Sequence, residues 1–162
     1  MDSIIVGKDG KWYSSKNAKL DALGNVVAKH SYKKRYRATA VVIQNDKVML
    51  VKDNMRELQW SMPGGGFKHK EESTIEACIR EVTKEEIGGL RILSAERLRQ
   101  CDFEGQRAKH KVAKLVVDGN AYVKDKHELK DEIYWWDMKS KIDAQGHVYY
   151  ILNKLGKLSH TG

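Results

Sequence analysis

Apolar positions alternate and then merge between Arg35 and Gln44, with Ala38-Thr39-Ala40-Val41-Val42-Ile43 at the centre. Asn45-Asp46 interrupts the run, and Lys47-Val48-Met49-Leu50-Val51-Lys52 follows. Two β-branched runs around a two-residue polar turn predict a β-hairpin. The period changes after Ser73. Ile75, Cys78, Ile79 and Val82 fall at i, i+3, i+4 and i+7, one apolar face of a helix. Ser73-Thr74-Ile75-Glu76 has the form of a capping box at its start, and Gly88-Gly89 is placed at its end. Further strands are expected at Leu90–Leu93, Glu96–Phe103, Lys111–Val117 and Ile133–Trp136, and a last helix at His147–Leu155. Residues 1–34 carry short apolar pieces split by Gly7, Asp9-Gly10 and Gly24-Asn25, which predicts one or two hairpins leaning on a main domain of residues 35–160. Strands, a helix, more strands and a helix give an α/β fold, a mixed sheet covered by helices.

A chain of 162 residues suits one principal domain with a real core. The two cysteines, Cys78 and Cys101, are too few for a disulfide framework, and neither has a partner at zinc-ligand spacing. A cytoplasmic location is expected, because the first residues lack the basic start and apolar run of a signal peptide. No apolar stretch approaches the ~20 residues of a membrane span. The formal net charge of +8 favours anionic partners, nucleotides or RNA, without choosing between them. Basic residues gather at Lys33-Lys34-Arg35 and Arg37, at Lys68 and Lys70, and from Arg107 to Lys114.

The predicted helix carries Glu81, Glu85 and Glu86 beside Arg80. Carboxylates gathered on a folded chain repel one another and resist burial, and the usual reason to gather them is a divalent cation with oxygen ligands. Glu81 and Glu85 are four apart and lie on one side of a helix. Glu86 does not fit: a regular helix puts it in the middle of the apolar stripe, where an unpaired carboxylate is costly. One extra residue around Thr83 to Glu85, a π-bulge, turns Ile87 inward and swings Glu86 beside Glu81. An intact α-helical ladder through Val82–Glu86 would refute that reading.

The stretch Gly66 to Gly88, preceded by Trp60-Ser61-Met62-Pro63-Gly64-Gly65-Gly66, resembles the Nudix box, the signature of hydrolases that cleave nucleoside diphosphates linked to another group. Gly66, Glu72, Arg80, Glu81 and Val82 keep the family spacing. Glu85, Glu86 and Gly88 come one residue late, Lys84 stands where a glutamate is expected, and the glycine turn is one residue longer than the commonest form. The resemblance implies the Nudix α/β/α sandwich and a Mg2+ or Mn2+ cofactor, two or three ions to a site. It makes Glu81 a metal ligand or the base, Glu85 and Glu86 ligands, and the Gly66 or Gly65 carbonyl a further ligand. Arg80 then orients the glutamates and Glu72 braces the loop, with Gly65 and Gly88 as structural positions. Glu128 is the first choice for a distal carboxylate ligand, and Glu104 the second.

Tyr36, Arg37 and Lys68 are the candidate substrate-binding residues. Tyr32 and Tyr36 among Lys33, Lys34, Arg35 and Arg37 form either a platform for a stacked base or a twisted edge strand with solvated lysines. One of Trp135 and Trp136 is expected in the core and the other near substrate, because adjacent strand residues face opposite ways. Trp60 is expected to pack behind the glycine turn, and His69, His110 and His127 to lie on the surface. The implied substrates are a nucleoside triphosphate, a nucleotide sugar, a dinucleoside polyphosphate or an RNA 5′ end. The displaced glutamates and Lys84 motivate the rival reading, a Nudix-fold nucleotide- or RNA-binding module with reduced catalysis.

Overall fold

The computed structural model describes residues 4–8, 10–14, 18–20, 22–28, 35–54, 59–105 and 108–158. Tyr32, Lys33, Lys34 and Arg107 lie outside them. The chain divides into two compact units, Met1–Arg35 and Tyr36–Gly162. The first holds two antiparallel pairs: β1 (Ile4–Val6) with β2 (Trp12–Ser14), and β3 (Ala18–Leu20) with β4 (Val26–Ala28).

The second unit is built on β5 (Arg35–Gln44), which turns through Asn45 and Asp46 into β6 (Lys47–Asp53). Both turn residues have positive φ, 52° and 60°, which gives the turn the twist that antiparallel strands prefer. There follow β7 (Gly64–Gly66), helix α1 (Thr74–Arg80), a π-helical turn (Glu81–Glu85), β8 (Ile87–Arg97), β9 (Phe103–Glu104), β10 (Ala108–Val123), β11 (Leu129–Trp136) and helix α2 (Gly146–Lys154). The seven-stranded mixed sheet runs β11–β6–β5–β10–β8, with β7 added to β5 and β9 to β10.

Alternation along the strands divides the core in two. Ala38, Ala40, Val42, Met49, Val51 and Leu115 face α1, where Ala77, Cys78 and Val82 meet them. Val41, Val48, Leu50 and Val112 face α2, where Val148, Ile151 and Leu152 close the second layer. The result is an α/β/α sandwich. Trp136 belongs to the second cluster and Trp135 packs against the first, so both tryptophans serve the core and neither approaches the clefts described below. Trp60 also packs, its ring 5.5 Å from that of Tyr134.

The strands are longer than their apolar runs. β8 takes in the expected Leu90–Leu93 and runs on to Arg97, but the strand expected over Glu96–Phe103 breaks there. Arg99–Cys101 wind into a 3-10 turn and extended chain resumes only at β9, while β10 extends both ways past Lys111–Val117. Gly88 and Gly89 open β8 rather than ending the helix. A β-carbon at Gly88 would overlap the Tyr122 ring, and one at Gly89 the Asn120 carbonyl, so glycine there lets β10 pass close. Among the described residues no helix is long and apolar enough to cross a membrane.

Candidate functional site

Ser73 caps α1 as a capping box: its hydroxyl accepts from the Glu76 N–H at 3.1 Å, and the Glu76 carboxylate accepts from the Ser73 N–H at 3.4 Å. After Arg80 the helix widens. The Glu86 N–H donates to the Glu81 carbonyl at 2.9 Å, a bond five residues back rather than four. The Thr83 hydroxyl donates to the Ile79 carbonyl at 2.6 Å, the side-chain back-bond that loosens helices. Val82 and Ile87 are both fully buried as a result, and Glu86 leaves the apolar stripe. Lys84 is exposed to solvent.

Arg80 holds the acids together. Its guanidinium donates to both oxygens of Glu72 at 2.8 Å, to the Gly66 carbonyl at 2.9 Å and to Glu81 Oε1 at 3.0 Å. It also pairs with Glu85 Oε2 at 3.0 Å. The fork geometry of arginine makes such multiple engagement possible. Its first effect is on Glu72, whose carboxyl is held down at about 2 chiefly by the Arg80 hydrogen bond, with the Lys68 N–H adding a second donor. Lys68 also reaches Glu85 Oε1 at 2.9 Å. That hydrogen bond, with Arg80 behind it, keeps Glu85 below the usual carboxylate range.

Glu81 and Glu86 are different. Both are almost fully enclosed. Burial, then the charge of Glu85, pushes Glu81 up to about 7 against the pull of Arg80. Burial pushes Glu86 up to about 8, with the charges of Glu81 and Glu128 adding to it, while the Gly64 N–H bond at 2.9 Å opposes the rise. The glycine turn fits tightly around these groups. A β-carbon at Gly65 would overlap the Glu81 carboxylate, and one at Gly64 the Ala38 carbonyl across the β5–β7 pair; at Gly66 there is open space. The like-charge strain of the helix therefore falls on Glu81 and Glu86, not on Glu85.

The donor set suits a hard divalent cation: carboxylate oxygens, two of them buried with too little positive charge around them. Glu85 is engaged by cations on both oxygens, and among the described residues no three carboxylate, imidazole or thiolate groups converge closely enough to hold a metal. Loading would require Lys68 to withdraw from Glu85.

Two adjoining cavities lie beside the glycine turn, and one of them reaches the acids. One of about 460 Å³ holds Glu86 and Glu128 on its wall with Arg37, Asp53 and Gly64. The other, about 740 Å³, shares Arg37, Asp53 and Gly64 and extends towards α2, where Phe103, His110, His147 and Tyr150 line it. Glu128 thus stands beside Glu86, whereas Glu104 lines neither cavity. Arg37 borders both. Tyr36, next to it on β5, faces the opposite side of the sheet and lines neither. Lys68 serves as the Glu85 partner.

His110 is not a surface residue. Its ring stacks on Phe103 at 4.4 Å and 5°, and its Nδ1 lies 3.1 Å from the Thr39 hydroxyl. Burial, and then the Arg37 charge, lower it to about 4, so the imidazole is neutral at physiological pH. Phe103 also lies nearly parallel to His147 at 5.5 Å, and the Met62 N–H donates to His147 Nε2 at 3.4 Å. Sequence reading missed Phe103, His147, Tyr150 and Asp53. The signal for His110 was its alternation with Ala108 and Val112, visible only once β10 is begun at Ala108.

A family model described as the NUDIX domain matches residues 33–139. No curated protein matches the chain. Among solved structures, a protein assigned to the nudix hydrolase family from Chromobacterium violaceum superposes with a TM-score of 0.59 at 25% identity, covering 76% of this chain and 78% of its own. A MutT NUDIX hydrolase from Burkholderia pseudomallei gives 0.59 at 17% identity, covering 75% and 97%. An ADP-ribose pyrophosphatase from Streptococcus suis gives 0.50 at 16% identity, covering 79% and 95%.

Proposed function

The chain belongs to the Nudix family of hydrolases, and on that footing we propose that it splits a pyrophosphate bond in a nucleoside diphosphate-linked substrate with Mg2+ or Mn2+ as cofactor. The observation that carries this is the pair of enclosed carboxylates, Glu81 and Glu86, raised to about 7 and about 8 beside a cleft. A folded chain gains nothing in stability from burying two undercompensated acids; a divalent cation held by them would supply the missing charge.

Glu81, Glu85, Glu86 and Glu128 would hold that cation, together with the Gly66 or Gly65 carbonyl. Bound there, it would neutralise phosphate oxygens and acidify an attacking water. The chain's own residues do the rest. Glu81, titrating near neutrality, is suited to accept the proton of that water. Arg80 fixes the Glu81 and Glu85 carboxylates and, by clamping Glu72, the loop that carries Lys68. Arg37, on the wall of both cavities, is placed to pair with phosphate oxygens. The larger cavity, with its flat rings, suits the nucleoside side of the substrate. A nucleoside triphosphate, a nucleotide sugar, a dinucleoside polyphosphate and an RNA 5′ end all meet these requirements. Cys78 and Cys101 are free, buried thiols, which supports a reducing, cytoplasmic setting.

The test is a panel of diphosphate-containing compounds with Mg2+ or Mn2+, comparing wild type with Glu85→Gln and Glu81→Gln. Wild type turns over at least one compound, and each substitution lowers kcat by about 100-fold or more. Equal turnover by all three proteins contradicts the assignment. The engagement of Glu85 by Lys68 and Arg80 favours one other reading, a Nudix-fold module that binds nucleotide without cleaving it. Tight nucleotide binding with no turnover of any compound would establish that reading instead.

A further inference from the structure

Strand alternation gives the sheet a second surface beside the acids, and the cleft does not use it. Arg37 and His110 face the larger cavity, so Tyr36, Lys109 and Lys111 face the other way. Tyr36 is 51% exposed. The Lys111 ammonium lies 4.7 Å from its centroid and the Lys109 ammonium 6.0 Å. Lys111 also stands 5.9 Å from the ring of Phe67, whose neighbour Lys68 reaches Glu85. Beyond Lys111 a shallow cavity of about 280 Å³ is lined by Phe67, Lys111, Arg99 and the hydroxyl residues Ser73 and Thr74.

Two of the acids nearby are occupied: Glu72 is clamped by Arg80, and Asp102 by Arg97 at 2.6 Å. Glu104 stands opposite Lys109 in the β9–β10 register. Among the described residues, Lys109, Lys111 and Arg99 have no ion-pair partner. An exposed ring between cations, leading to a cationic hollow, matches what a nucleic-acid strand offers: a base with two faces and a phosphodiester every nucleotide. The cleft and this surface lie on opposite faces of the sheet, so a ligand that engages both has to pass from one face to the other. Only a longer polyanion uses both.

We infer that Tyr36, Lys109, Lys111, Phe67 and Arg99 form a track for single-stranded nucleic acid. The substrate is then a strand end carrying the scissile pyrophosphate, its following nucleotides laid over Tyr36. This substrate assignment rests on the hydrolase reading above; the binding track does not.

The experiment uses the full chain in EDTA and a fluorescein-labelled twelve-nucleotide oligouridylate bearing a 5′ triphosphate, followed by anisotropy across a KCl series. The Lys109→Glu/Lys111→Glu protein should bind at least tenfold more weakly, with a salt slope smaller by about 0.7 for each phosphate no longer neutralised. Tyr36→Ala should weaken binding roughly tenfold, the scale of one stacked base, with the slope unchanged, and Tyr36→Phe should restore it. Oligodeoxythymidylate bound equally well makes the track generic for single strands; weaker binding makes it selective for RNA. Thermal melts confirm that each variant folds. The mononucleotide panel run on the same variants keeps the two readings apart. Unchanged turnover with abolished oligonucleotide binding supports the track, and oligonucleotide binding with no turnover of any compound removes only the substrate assignment. Affinity and slope unmoved by the lysine reversals, equal affinity for duplex RNA, or inorganic polyphosphate competing equally while Tyr36→Ala has no effect would overturn the track.

Discussion

Glu86→Gln should make the metal-free protein more stable, although it removes a residue of the candidate site. The Glu86 carboxyl sits almost fully enclosed, and burial, then Glu81 and Glu128, raise it from 4.5 to about 8. An acid whose folded pKa is raised keeps its proton longer in the folded than in the unfolded chain. Stability is therefore greatest below 4.5 and falls as pH rises towards about 8. Each pH unit inside that window costs about 1.4 kcal/mol. At pH 7.5 the ionisation penalty is on the order of 3–4 kcal/mol. Glutamine removes it, keeps an oxygen for the Gly64 N–H and presents an amide to Glu81. The buried amide itself costs about 1 kcal/mol or more, which leaves a net gain of roughly 2 kcal/mol.

Urea unfolding in EDTA measures this directly. At pH 7.5 the variant's midpoint should lie above that of wild type, and at pH 5, where Glu86 is protonated in the fold, the two should nearly coincide. Excess Mn2+ should reverse the order, because a ligand that binds only the folded state stabilises the protein that binds it more tightly. A variant no more stable than wild type at pH 7.5, or equally shifted at both pH values, would refute the claim that Glu86 is an undercompensated buried acid.

Three further outcomes follow from the same geometry. Gly65→Ala should leave the melting temperature within a few degrees but lower turnover about 100-fold, because its methyl displaces the Glu81 carboxylate; wild-type kinetics would show that the close approach has no catalytic consequence. Arg80→Lys should cost about 2 kcal/mol at pH 7, because a lysine cannot reproduce the forked charge-assisted bonds. Because the Glu72 carboxyl is held at about 2, its part of that loss is complete above 4.5 and shrinks as pH falls towards 2, so the gap between the urea midpoints of wild type and variant should be wide at pH 7 and narrower at pH 3. His110 should titrate near 4 when followed by NMR of its ring protons, and should contribute stability in full above 6.5 that disappears as pH falls through 4; a midpoint near 6.5 would mean that the ring is solvated rather than stacked on Phe103.

What was legible in the sequence was local. The β5–β6 turn, the capping box at Ser73 and the stripe Ile75–Cys78–Ile79–Val82 depend on residues within a few positions of one another. Even the helix irregularity could be read, because Glu86 in the stripe conflicts with the cost of a buried charge. The length of β10 could not. Its register shifts at Val116/Val117 and Gly119/Tyr122 break the alternation, and Lys109 and Lys111 around His110 give its first residues the look of a polar loop. Nor could the division of labour among the acids. Lys68 and Arg80 quiet Glu85 while burial burdens Glu81 and Glu86, and that depends on how deep each side chain sits rather than on spacing. His110 meets Thr39 across 71 residues, a pairing only the assembled sheet creates.

The same two-residue unit, a glutamate followed by an aliphatic, occurs at Glu81-Val82 and again at Glu86-Ile87. Five residues separate the copies. On a regular α-helix that spacing sets them about 140° apart, so if one glutamate faced β7 and one aliphatic the core, the other pair could do neither. A turn closed by a bond five residues back puts both copies in register, and the Glu86 N–H to Glu81 carbonyl bond is that closure. Two buried aliphatics and two site carboxylates are thus gained together, against one wide turn in which the Thr83 hydroxyl bonds the Ile79 carbonyl. Deleting Lys84 tests this coupling. It shortens the spacing to four, which an ordinary helix aligns within about 40°. The exposed lysine adds nothing to the core, so the deleted chain should fold with a melting temperature within a few degrees of wild type. Thr83→Val, which keeps the length but removes the hydroxyl, should cost about 1 kcal/mol or more in urea. If the deletion unfolds the protein while Thr83→Val is silent, the π turn is not what aligns the two pairs.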